Sequence, residues 1–98
     1  MLFAVILRNR PGQAELGARY REPHIQWLDE HQDVVRVAGS LRENFDATPV
    51  GGLWVVEAAS KDDVLALLVT DPYYTCGLRQ SHEVLHWRKA FPSRQVPV

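Results

Sequence analysis

The chain has 98 residues, of which 46% are hydrophobic, and a formal net charge of -1, which is enough for one globular domain with a thin core. That near-neutral balance excludes a polyanion-binding surface, so nucleic acid is not an expected partner, and a lone cysteine excludes an internal disulfide and a cysteine-rich zinc site. No apolar stretch approaches the ~20 residues that cross a bilayer and no charged-then-apolar leader is visible, so the expected location is the cytoplasm, away from membranes.

A single domain over residues 1–98 is expected, its thin core completed by a second copy of the chain. Leu2 to Leu7 is a nearly continuous apolar run and predicts a central strand covered on both faces. Arg8-Asn9-Arg10-Pro11-Gly12 carries turn chemistry. From Gln13 to about Gln32 the apolar spacing is helical, through Leu16, Tyr20, His24, Trp27 and Leu28. Pro23 interrupts that helix: either it kinks there, or a first segment ends near Arg21 and a second carries Pro23 in its first turn.

Asp33 to Leu41 predicts a second strand, Arg42 to Pro49 a loop, and Gly51 to Ala59 a third strand that is apolar on both faces. One face can pack on the helices of this chain, and the other calls for the sheet of a partner subunit. Ser60-Lys61-Asp62-Asp63 has the form of a capping box and opens a helix whose buried stripe runs through Val64, Leu67 and Leu68 to Asp71. Pro72 pushes Asp71 out of the α region, so the carboxylate is expected at a defined helix exit. A fourth strand is drawn from about Leu78 to Phe91, and residues 92–98 form an extended tail. The order βαββαβ predicts an α+β, ferredoxin-like domain: an antiparallel four-stranded sheet with two main helices on one face.

Among the polar residues, His24 is the candidate proton-transfer group, because imidazole titrates near neutrality and a neighbouring carboxylate fixes its tautomer. Asp71 is the candidate carboxylate. The alternative is a helix histidine satisfied by a backbone carbonyl and an aspartate that only ends a helix. Ser40 lacks the Gly-x-Ser-x-Gly elbow of a nucleophile and reads better as a ligand contact or turn residue. Tyr73 and Tyr74 suit stacking on a planar ligand or packing at the edge of the core. Arg8, Arg10 and Arg79 are candidates for selecting an anionic substrate, Arg8 being the one expected at the site, although scattered arginines are usually solvated.

The Arg-rich turn after the first strand, Pro23-His24, Ala38-Gly39-Ser40-Leu41, the Gly52 to Val56 strand, Asp71-Pro72-Tyr73 and Trp87-Arg88-Lys89 together resemble the YciI-like (YCII-related) family. The resemblance covers nearly the whole chain in the same order. It implies a ferredoxin-like protomer that pairs into a dimeric α+β barrel, with a small-molecule pocket between sheet and helices and a His/Asp active pair mapping to His24 and Asp71. Many members carry proline where this chain has Ser40. The best-defined activity of the family is dehydrochlorination of a chlorinated hydroxyhydroquinone.

No metal or cofactor is expected. His82 and His86, four apart on one strand, lie roughly 13 Å from each other, too far to share an ion. Haem-using relatives in the superfamily make His24 or His86 a conceivable axial ligand, with nothing else in the sequence to support it. The expected function is a cofactor-independent lyase or isomerase acting on a small hydroxylated aromatic molecule, with His24 and Asp71 catalytic and Ser40, Tyr73 and Arg8 in contact with substrate. The competing expectation is a non-catalytic metabolite-binding or accessory dimeric module.

Overall fold

The computed structural model describes residues 1–98. The alternating strand β1 (Leu2–Asn9) sends Phe3, Val5 and Leu7 to one face, all fully buried. It pairs antiparallel on one side with β3 (Gly51–Glu57) and on the other with β4 (Arg79–Trp87). The remaining strand, β2 (Val35–Leu41), pairs antiparallel with β3, which gives the order β2-β3-β1-β4. This is the four-stranded antiparallel sheet of an α+β, ferredoxin-like fold.

One layer of helices covers the face that carries Phe3, Val5 and Leu7. The segment after β1 is divided: α1 (Ala14–Arg19) ends at Tyr20 and α2 (Arg21–Glu30) begins at once. Pro23 sits in the first turn of α2, where its missing N–H has no intrahelical acceptor, so the break falls before the proline instead of at it. Trp27 of α2 and Val64 and Leu68 of α3 (Lys61–Leu68) join Phe3, Val5, Leu7, Trp54, Val56 and Val84 in one apolar cluster. Each such side chain contributes about 1.5–3 kcal/mol by leaving water. Ser60 caps α3 by accepting the Asp63 N–H at 3.2 Å, the bond the capping-box spacing predicts.

The opposite sheet face has no helix over it. Pairing places Ile6 beside Leu53, and Ala4 between Val55 and Leu85, on that side, and Val37, Leu53, Leu85 and Trp87 are all exposed there. At the end of the sheet where β3 begins, Gly51 passes so close to β1 that a Cβ would overlap the Leu7 carbonyl oxygen. No helix is long and apolar enough to cross a membrane.

Candidate active site

The segment that follows α3 meets α2 through two side-chain bonds. Trp27 Nε1 donates to Thr70 Oγ1 at 3.0 Å, and His24 Nδ1 lies 2.8 Å from Asp71 Oδ1. His24 and Trp27 are three apart in α2, hence on one face, and Thr70 and Asp71 follow α3 directly. Both members of the second pair are out of water, His24 at 7% and Asp71 at 0% exposure. A carboxylate only accepts, so the Nδ1 proton belongs to histidine, and in the neutral imidazole Nε2 carries the lone pair. Nε2 makes no hydrogen bond and is not sealed from solvent.

Asp71 also starts an element that the sequence reading does not anticipate. Its backbone is extended, φ -65° and ψ 132°, as the following proline requires, and its Oδ1 accepts the Tyr73 N–H at 3.1 Å. It is therefore the N-cap of a one-turn helix, α4 (Pro72–Thr75), with Pro72 at the first helical position. The helix exit of α3 is at the same time the entrance to α4. That turn closes on Gly77 in the left-handed region (φ 86°), with Gly77 N–H donating to Tyr74 O and Leu78 N–H to Tyr73 O. The chain then enters β4 at Arg79.

Tyr73, thus fixed, stacks on His24 with ring centroids 3.9 Å apart. Its hydroxyl donates to Gly17 O at 2.9 Å, so this group is committed within the protein. Burial raises the Tyr73 pKa, while the nearby Arg79 and Arg21 pull it back.

Arg79 lies against the same ring, its guanidinium carbon 5.0 Å from the Tyr73 centroid. Nη1 donates to Asn9 Oδ1 at 2.7 Å. Burial lowers its pKa, with the charge of Asp71 acting in the opposite sense. A Cβ on Gly52 would come within 3.4 Å of Nη2, so the glycine leaves the guanidinium its place on the sheet. Arg79 also borders a polar groove of about 470 Å³ shared with Arg10, Tyr74, Ser81 and His82.

The residues singled out in the sequence are thus distributed unevenly. His24, Asp71 and Tyr73 come together. Ser40 pairs with Gly52 in the ladder but is exposed, and its hydroxyl accepts from Arg42 Nε at 3.0 Å. Arg8 is exposed and, by alternation from buried Leu7, on the sheet face away from the helices, so it does not join His24 and Asp71. Arg79, another of the three candidate arginines, is the one that lies against the Tyr73 ring. No group of three or more His, Cys, Asp or Glu side chains is placed to hold a metal ion.

The YCII-related domain matches residues 1–88. The chain belongs to that family. Among solved structures it is similar to 5-chloro-2-hydroxyhydroquinone dehydrochlorinase from Burkholderia phenoliruptrix AC1100, in complex with 2,5-dihydroxybenzoquinone. The identity is 24% and the TM-score 0.82, over 90% of this chain and 94% of that one. An uncharacterized NIPSNAP domain protein from Burkholderia xenovorans is similar at 14% identity and TM-score 0.51, over 96% of this chain and 100% of that one. The Agrobacterium tumefaciens protein Atu4242 is similar at 16% identity and TM-score 0.50, over 94% and 98%. No curated protein matches the sequence.

Proposed function

We propose that this YCII-related protein is a cytoplasmic, homodimeric, cofactor-independent lyase or isomerase that moves a proton on a small hydroxylated aromatic substrate. The observation that carries the reading is the buried His24–Asp71 contact of 2.8 Å, which leaves Nε2 as the basic atom. His24 accepts or returns the proton at Nε2. Asp71 holds the tautomer and stabilises the imidazolium formed midway. Tyr73 limits rotation of the imidazole. The choice of a hydroxylated aromatic follows the similar dehydrochlorinase, named for a chlorinated hydroxyhydroquinone and bound to a dihydroxylated quinone ring of the same size. Dimer formation through the sheet face bearing Leu53, Leu85 and Trp87 would cover the apolar side chains left exposed there.

The test is turnover of 5-chloro-2-hydroxyhydroquinone and unchlorinated hydroxyhydroquinones by wild type, His24→Asn and Asp71→Asn. Loss of the imidazole should slow a proton-transfer step by about 10²- to 10⁴-fold. Unchanged turnover in His24→Asn would end this reading.

A second reading, a metabolite-binding or accessory dimer without turnover, draws on one observation: the Asp71 oxygen that meets His24 also caps α4, so the pair has a structural task as well. It predicts ligand binding by wild type with no product formed, and variants altered in affinity or stability alone.

A further inference from the structure

Three polar or charged side chains of the protein are buried: His24, Asp71 and Arg79. All three meet at Tyr73. His24 stacks on its ring, Asp71 accepts its N–H, and the Arg79 guanidinium lies over the ring. The ring centre is 3.9 Å from that of the imidazole and 5.0 Å from the guanidinium carbon, so cation and imidazole are within about 9 Å of each other. Arg79 has no carboxylate within 4.0 Å of its nitrogens, and its sole side-chain hydrogen bond goes to the neutral amide of Asn9. A guanidinium keeps its proton in a protein, so a full positive charge is held inside without a close partner.

His24 is under an opposite pull. A carboxylate 2.8 Å from Nδ1 favours the imidazolium, and an imidazolium has no lone pair at Nε2 with which to take a proton. With His24 neutral, the charges of Asp71 and Arg79 cancel across the buried trio. With His24 protonated, one positive charge is left over in the interior.

We infer that Arg79 is a positioning residue for the proposed proton transfer: its buried charge offsets that of Asp71 and keeps His24 a neutral imidazole with Nε2 ready to accept. The inference deepens the proton-transfer reading and rests on it for the use made of that lone pair, whereas the charge effect is measured on the imidazole without substrate. Asp71 stabilises the imidazolium while the proton is in transit, and Arg79 prevents that state from persisting.

The other groups around the imidazole leave this role to Arg79. α1 brings Glu15 and Arg19, which pair with each other at the surface. α2 itself brings Arg21, which is exposed, so that water and salt screen its charge. The α4 turn brings Asp71, the phenol of Tyr73 and the half-buried thiol of Cys76. Burial works against the Arg79 charge and the Asp71 carboxylate works for it, which couples the two buried charges directly.

The experiment is a proton NMR titration of the four histidines in wild type, Arg79→Gln, Arg79→Met, Arg79→Lys and Arg21→Gln, with the His24 signal assigned by its loss in His24→Asn. One charge about 9 Å away, at an effective dielectric constant of about 20, is worth roughly one pH unit. Arg79→Gln should therefore raise the midpoint of His24 protonation by about that much. Arg79→Met should do the same, and decides the question if Arg79→Gln does not fold. Arg79→Lys, which retains a cation, should stay nearer to wild type, and Arg21→Gln should move the midpoint by a few tenths of a unit at most. An unchanged or lowered midpoint in the uncharged variants would overturn the inference. So would a change in Arg79→Lys as large as that in Arg79→Gln, or an equal change in Arg21→Gln.

His24→Asn separates the two ideas. Normal turnover in that variant, with a raised midpoint in Arg79→Gln, removes the proton-transfer reading and leaves the charge balance of the buried trio standing. Lost turnover in His24→Asn alongside an unmoved midpoint in Arg79→Gln does the reverse.

Discussion

The Tyr73 ring lies nearly parallel to the His24 imidazole, their planes 13° apart, while the Tyr73 N–H donates to the same Asp71 oxygen that meets His24. One residue therefore touches both members of the pair, once with its ring and once with its backbone. Its hydroxyl, donated to Gly17, ties the arrangement to the segment before α2. The imidazole is held in plane and in tautomer by groups that are themselves fixed.

Tyr73 should make the protein sensitive to alkali. Burial raises its pKa above the ordinary tyrosine value of about 10, so the folded chain holds the phenol proton more tightly than the unfolded chain does. The associated stability is fully present below that ordinary value and is lost as pH rises through the raised one. Tyr73→Phe should lose about 1 kcal/mol at neutral pH with the bond to Gly17, and should show a shallower decline in strong alkali. Urea melts across the alkaline range would show parallel declines in both proteins if this account were wrong.

Asp71 has two structural partners, and its substitutions should grade accordingly. Asp71→Ala removes the cap of α4 and strands the His24 donor in a buried place, a combined loss of about 2–4 kcal/mol. Asp71→Asn keeps an oxygen that can cap, so its cost in a urea melt should be clearly smaller. Equal costs for the two would mean that the cap and the His24 bond contribute little.

Arg79 should be tolerated better by the fold when it is gone. Its depressed pKa means that folding favours the neutral form, so a favourable contribution exists only above the ordinary arginine value and is lost as pH falls through the lowered one. At neutral pH the charged side chain subtracts from stability. Arg79→Met should melt at or above the wild-type temperature, partly offset by reduced support for the Asp71 charge. A clear drop in melting temperature would show that the guanidinium is a structural cation.

The bare sheet face should govern assembly. Leu53→Glu combined with Leu85→Glu puts charge on a surface whose side chains are exposed in the single chain, so the monomer loses little and a sheet-to-sheet dimer loses much. Light scattering after size exclusion should report a dimer for wild type and a monomer for the double variant. A wild-type monomer, or an unaffected dimer in the variant, would place the contact elsewhere.

Much of this architecture is legible before any coordinates. The apolar run at Leu2 to Leu7, the Ser60 cap and the order of elements identify the sheet and its helical cover, because burial on both faces and N-capping leave strong local patterns. The extended backbone of Asp71 follows from Pro72. That Asp71 opens a second helix does not, since Asp-Pro is equally a stop for one helix and a cap with first residue for the next. Arg79 is named in the sequence as one of three candidate arginines, but its inward turn is hidden for a different reason. Alternation counted back from buried Val84 through His82 puts Gln80, and not Arg79, on the helix-covered face. The register shift in the ladder pairs Arg8 with Ser81 but Asn9 with Arg79, skipping Gln80, and so turns Arg79 inward. A bulge of this kind has no signature in the flanking residues, and an arginine at a strand end reads as solvated.

The side-chain bonds at the site span long stretches of chain: 47 positions separate His24 from Asp71 and 70 separate Asn9 from Arg79. No local segment retains the arrangement alone, and β4, which launches Arg79, is an outermost strand of the sheet. Edge strands open before the centre does, so detachment of β4 carries Arg79 away from the Tyr73 ring while most helix and sheet persist. Under the proposed function, turnover would then fade at temperatures where circular dichroism still reports an intact protein, and would serve as the more sensitive gauge of damage to it.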